Sequence, residues 1–201
     1  MKIQTSIVAL ACLLFQYSCT SQVPSPNIIL SVPTLEQEAT SVWRTINDIA
    51  FLEEQGYQIN LPRHDTIQFL VDKSRNKNFG NTDFGTIYNL LESGIYEKGN
   101  YEKAFSKVNA QLELINSLVQ RLTVIKESWN WNFKIFDSYD IVFTIYGTGG
   151  SYDPDNGRVT LFTNEEGQFM KYDNPANTII HEIVHMGIEE SIVQKYNLSH
   201  G

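Results

Sequence analysis

The stretch 178-TIIHEIVHMGIEESIVQ-194 sets His181 and His185 four residues apart, with Glu182 beside the first and Glu189 and Glu190 a turn further on. On an α-helix, residues four apart share a face, so both imidazoles can point at one ion. Zinc accepts such nitrogens at about 2.0–2.1 Å. Glu182 is set about 100° round the axis from His181. From there it can face a water on the ion without ligating the ion itself. One and a half turns of helix thus carry two metal ligands and a general base. The neighbours Ile180, Ile183, Val184, Met186, Ile188, Ile192 and Val193 surround the axis with apolar side chains, which predicts a buried helix. Buried ionisable groups are costly unless paired, hydrogen-bonded or bound to metal. A single ion would account for all three; the opposing explanation is two satisfied core histidines and a salt-bridged glutamate.

The elements that must position this helix follow from periodicity. Leu35, Val42, Ile46, Ile49 and Leu52 recur at three- and four-residue offsets and predict a helix over 34–56. A second helix is expected from Asp65, read as its N-cap, and a third over 86–91. The longest is expected over 101–127, with Phe105, Val108, Leu112, Ile115, Val119 and Leu122 on its buried stripe. The period then changes. The segments 132–136, 140–147 and 158–163 are rich in β-branched and aromatic residues and read as strands. Between the last two, 147-GTGGSYDPDNG-157 reads as loop and turn. Asn174 is a suitable N-cap for the motif helix and Pro175 a suitable first residue. The expected class is α+β: a helical N-terminal half, a small mixed sheet, then the buried HExxH helix.

Over roughly residues 130–195, strands, glycine-rich loop and HExxH helix resemble the zincin metallopeptidases. The resemblance implies a zincin-like fold with His181 and His185 as zinc ligands and Glu182 as the catalytic base. It also implies an extended peptide substrate paired to an edge strand, either 158–162 or 140–147. Metzincins continue as HExxHxxGxxH, whereas this chain reads HEIVHMGIEES, with Gly187 one position early and Ser191 in place of the histidine. The likeness is therefore gluzincin-like. Gluzincins of the thermolysin type take a third ligand, a glutamate, about twenty residues past the second histidine. Here that falls near position 205, past Gly201. The third ligand then lies outside these residues, the chain being truncated before it, or is Glu189, or is His200 in 197-NLSHG-201.

The N-terminus reads as an export signal over 1–19, with Lys2 followed by the short apolar core 7-IVALACLLF-15. Cys19 ends that core and resembles the lipobox cysteine of bacterial lipoproteins, which implies lipidation at Cys19 and anchoring to a bacterial envelope membrane. An ordinary secretory signal is the alternative. Residues 20–33 read as a tether, and 34–201 as a single metallopeptidase-like domain. The two cysteines, Cys12 and Cys19, both lie before it, so the domain holds no disulfide.

The 201 residues carry a net charge of -8, with a sequence pI near 5.0. That balance argues against a nucleic-acid partner, which needs a positive field. The basic run 73-KSRNKN-78 reads as a solvated helix end, and His64 as a surface residue before a helix. Asp153, Asp155 and Asn156 superficially suggest a calcium loop but lack its full ligand pattern, so turn chemistry explains them. Gly147, Gly149 and Gly150 form no phosphate cradle, and Trp129 and Trp131 are expected to pack. The expectation is a zinc-dependent peptidase acting on peptide or protein substrate in the envelope. Its rival is an envelope lipoprotein that binds metal or a partner without catalysis.

Overall fold

The computed structural model describes residues 25–130, 132–169 and 174–196. Cys19, Trp131 and His200 lie outside these ranges. The chain enters on a strand, β1 (Asn27–Ser31), within the stretch expected to be tether. Thr34 then starts α1 (Leu35–Asn47) with a capping box. Its hydroxyl accepts from the Gln37 N–H at 3.1 Å, and Gln37 Oε1 accepts from the Thr34 N–H at 2.7 Å.

Four helices follow: α2 (Ile49–Glu54), α3 (Asp65–Arg75), α4 (Phe84–Leu90) and α5 (Glu102–Asn109). The cap of α3 is His64, not Asp65: its Nδ1 accepts from the Thr66 N–H at 3.1 Å. Lys73 in that helix's last turn pairs with Asp83 at 2.6 Å, so this cation at the basic helix end is partnered. The long helix expected over 101–127 is two, because the chain breaks after α5 and resumes as α6 (Leu112–Ser128). Trp129, just beyond α6, is 75% exposed, contrary to the expectation that it packs.

The sheet has four strands in the order β1-β2-β4-β3, with β2 spanning Ser138–Thr144, β3 Ser151–Asp153 and β4 Arg158–Phe162. β1, β2 and β4 run parallel, and β3 is antiparallel to β4. The segment 132–136 is not a strand. It runs along α7 (Pro175–Ile188), where the Lys134 N–H donates to the Gly187 carbonyl at 2.9 Å. The described chain is α+β, as the element pattern predicted.

Two apolar cores result. Ala39, Val42 and Ile46 of α1 pack with Ile67, Leu70 and Ile87 of the helical half. Tyr139, Ile141, Phe143, Val159 and Leu161 present one face of the sheet to α5, α6 and α7, which contribute Val108, Ile115, Ile179 and Met186. Each fully buried Val, Leu, Ile, Phe or Met among these stabilises by roughly 1.5–3 kcal/mol. Glu38 of α1 joins the halves. At 1% exposure its Oε1 accepts from the Tyr101 hydroxyl at 2.7 Å and from the Ile145 N–H at 2.9 Å. Burial pushes its carboxyl above the usual range, and these hydrogen bonds pull only partly against it.

Candidate metal and catalytic centre

The motif helix α7 starts where the sequence placed it. Asn174 Oδ1 accepts from the Ala176 N–H at 3.0 Å, and Pro175 takes the first helical position. Pro has no N–H to leave unsatisfied there, so the local chemistry and the tertiary position agree. The helix buries Ile179, Ile183 and Met186 against the sheet, while His181 is exposed and His185 half-buried. It is therefore covered on one side and not all round, and the histidines look out of the core.

The two imidazoles meet. His181 Nε2 and His185 Nε2 lie 3.0 Å apart, with ring centroids 4.5 Å apart and planes inclined at 73°. At that separation one nitrogen donates and the other accepts. Two nitrogens at tetrahedral zinc-bond lengths sit about 3.3 Å apart, so the pair needs only a slight opening to hold an ion. Gly187, which the metzincin pattern would place one residue later, has a packing reason of its own. A Cβ there would lie 2.0 Å from Cζ of Phe133, so the glycine lets that ring rest on the helix backbone.

Glu182 is 6% exposed, on the buried flank of the pair. Burial pushes its carboxyl above the usual range, and the neighbouring His181 pulls the other way. The chain makes room for this carboxylate with Gly150, whose missing Cβ would stand 2.9 Å from Glu182 Oε1. Thr178, one turn before Glu182, is also buried, and among the described residues its Oγ1 has no hydrogen-bond partner.

The side chain that meets the histidine pair comes from β3. Both strands expected to offer a substrate edge are interior: β2 lies between β1 and β4, and β4 between β2 and β3. The edge nearest the motif is Ser151–Asp153, inside the stretch read as loop and turn. Tyr152, its middle residue, stacks on His185 with centroids 5.7 Å apart and planes 11° from parallel. Its hydroxyl donates to Glu189 Oε2 at 2.9 Å. Glu189, 7% exposed, opens the wide helical turn Glu189–Gln194 that follows α7. Glu190 is exposed. No local signal in the sequence marked Tyr152 or Gly150, because their roles depend on a three-residue strand hidden in turn-forming composition.

Among the described residues, no three His, Cys, Asp or Glu side chains gather as a metal cluster. Two imidazole nitrogens 3.0 Å apart are donors of the kind zinc accepts, with the Glu182 carboxylate beside them. The third-ligand candidates are Glu189, tied to Tyr152, and His200, outside the described residues. Asp153 behaves as turn chemistry, its Oδ1 accepting from the N–H groups of Asp155 at 3.0 Å and Asn156 at 3.3 Å.

On the other side of β3, a cleft of about 580 Å³ runs between α1 and the second face of the sheet. Thr40, Ser41 and Arg44 line one wall and Thr144, Thr160 and Ser151 the other. Among the described residues no helix is long and apolar enough to cross a membrane. Compared with known proteins, the chain matches no family model, no curated protein and no solved structure.

Proposed function

We propose that this chain is a zinc-dependent peptidase of the bacterial envelope, in which His181 and His185 hold the metal and Glu182 is the general base. The observation that carries this reading is the 3.0 Å separation of the two Nε2 atoms on one face of α7, beside a buried glutamate. Zinc bound there would polarise a peptide carbonyl and ready a water for attack at neutral pH. With zinc held by His181 and His185, Glu182 would take the proton of the attacking water and pass it to the leaving amine.

The exposure of His181 leaves the centre open to substrate. β3, an edge strand among the described residues, would receive an extended peptide by strand addition. Side chains of such a peptide would alternate between α7 and the hydroxyl-lined cleft on the far face of the sheet. Glu189 is the third-ligand candidate, with His200 the alternative. The apolar N-terminal stretch ending at Cys19 supports export and a lipid anchor.

The test is zinc content and peptide hydrolysis measured side by side on the wild type, Glu182→Gln and His185→Ala. Glu182→Gln should keep its zinc and lose hydrolysis, and His185→Ala should lose both. A wild type that holds no zinc, with a thermal midpoint indifferent to zinc and chelator, would return the histidines to a purely structural role. Zinc held without any hydrolysis would make the protein a metal-binding lipoprotein.

A further inference from the structure

Strand alternation sends the side chain of Tyr152 toward α7, and those of Ser151 and Asp153 toward the opposite face. Tyr152 pairs with Val159 in the β3–β4 ladder, so its backbone is fixed within the sheet. Its ring lies 11° from parallel to His185, and its hydroxyl bonds Glu189 Oε2 at 2.9 Å. One side chain of the sheet's edge therefore touches the second histidine of the pair and the buried carboxylate just past the same helix. A hydrogen bond at its far end fixes where the ring axis points, and the stacked ring restricts rotation of the imidazole. Metal-ligating histidines depend on neighbours that fix ring orientation, and loss of such neighbours commonly costs roughly 10–100-fold in metal affinity.

We propose that Tyr152 is a positioning residue for the zinc centre: its ring sets the plane of His185, and the Glu189 carboxylate anchors the far end of Tyr152 over that imidazole. The inference rests on the zinc reading above. It gives the three-residue edge strand a second task besides meeting substrate, namely holding a ligand of the centre in the aligned state before metal arrives.

The experiment compares the full chain with Tyr152→Phe and Tyr152→Leu. In metal-free protein, NMR of the His185 ring protons should show an upfield ring-current shift in the wild type. Phenylalanine should keep most of that shift and leucine should abolish it. Zinc titrations should then show a loss of several-fold for Tyr152→Phe and roughly 10–100-fold for Tyr152→Leu, at nearly unchanged thermal midpoints. A folded Tyr152→Leu that binds zinc as tightly as the wild type overturns the inference and leaves the zinc reading standing. Failure of the wild type itself to bind zinc overturns both.

Discussion

Gly150 and Glu182 are in such close register that a methyl group on the glycine would lie 2.9 Å from the glutamate's Oε1. The obstructed atom is the end of a flexible side chain, so Gly150→Ala should move the carboxylate and spare the fold. A base displaced by about 1 Å can cost on the order of 100-fold in rate. We expect Gly150→Ala to keep its zinc and its thermal midpoint while peptide hydrolysis falls by that order. Unchanged turnover would mean that the loop does not fix the position of Glu182.

Gly187→Ala should behave in the opposite way. An alanine in a helix interior ordinarily gains about 1 kcal/mol over glycine. Here its Cβ would stand 2.0 Å from Phe133 Cζ, with Phe133 only 1% exposed. Overpacking of this kind costs about 1–3 kcal/mol, so the clash outweighs the propensity. Urea unfolding should show net destabilisation, partly restored in the double variant Gly187→Ala, Phe133→Leu. A more stable single variant would show that the ring yields freely.

Glu38 should leave a signature in stability against pH. Burial raises its carboxyl above the ordinary 4.5, and the groups facing it are Tyr96, Tyr101 and Tyr146. The native chain therefore keeps this proton at pH values where the unfolded chain has lost it. Stability from this group is complete below the ordinary value and is lost as pH rises toward the native one. Glu38→Gln keeps an acceptor for Tyr101 and Ile145 but cannot ionise. The thermal midpoint of the variant relative to the wild type should climb from about pH 4.5 upward; a constant offset from pH 4 to 8 would count against a raised carboxyl.

At the N-terminus, Cys19→Ala should abolish partition into membranes if Cys19 carries the lipid. A wild-type protein recovered wholly in the soluble fraction would point to ordinary secretion instead.

How much of this was legible depended on where the information lay. Asn174 and Pro175 announce α7 by themselves, because cap and first-turn chemistry act over three residues, and the same holds for Thr34 with Gln37. The histidine pair was readable because helical spacing alone brings the rings together. β1 was not, since it becomes a strand only through parallel pairing with β2, in which Asn27 meets Ser138. β3 was masked by its glycines and its Asp-Pro turn. In 132–136 the β-forming composition misled, because Phe133 serves a contact with Gly187 that no local pattern shows. The break between α5 and α6 likewise interrupts an unbroken apolar stripe with no glycine or proline to mark it.

The shortness of β3 has a bearing on solubility. A strand edge left open to receive a peptide is equally open to the strand of another folded molecule, and long exposed edges promote aggregation. β3 ends after three residues at Asp153, where Pro154 can donate no N–H. Such an edge supplies only a few main-chain hydrogen bonds, too few to bind two sheets together. A peptide also gripped at the histidine pair would gain what the edge withholds. The same brevity would admit the one partner and turn away the other.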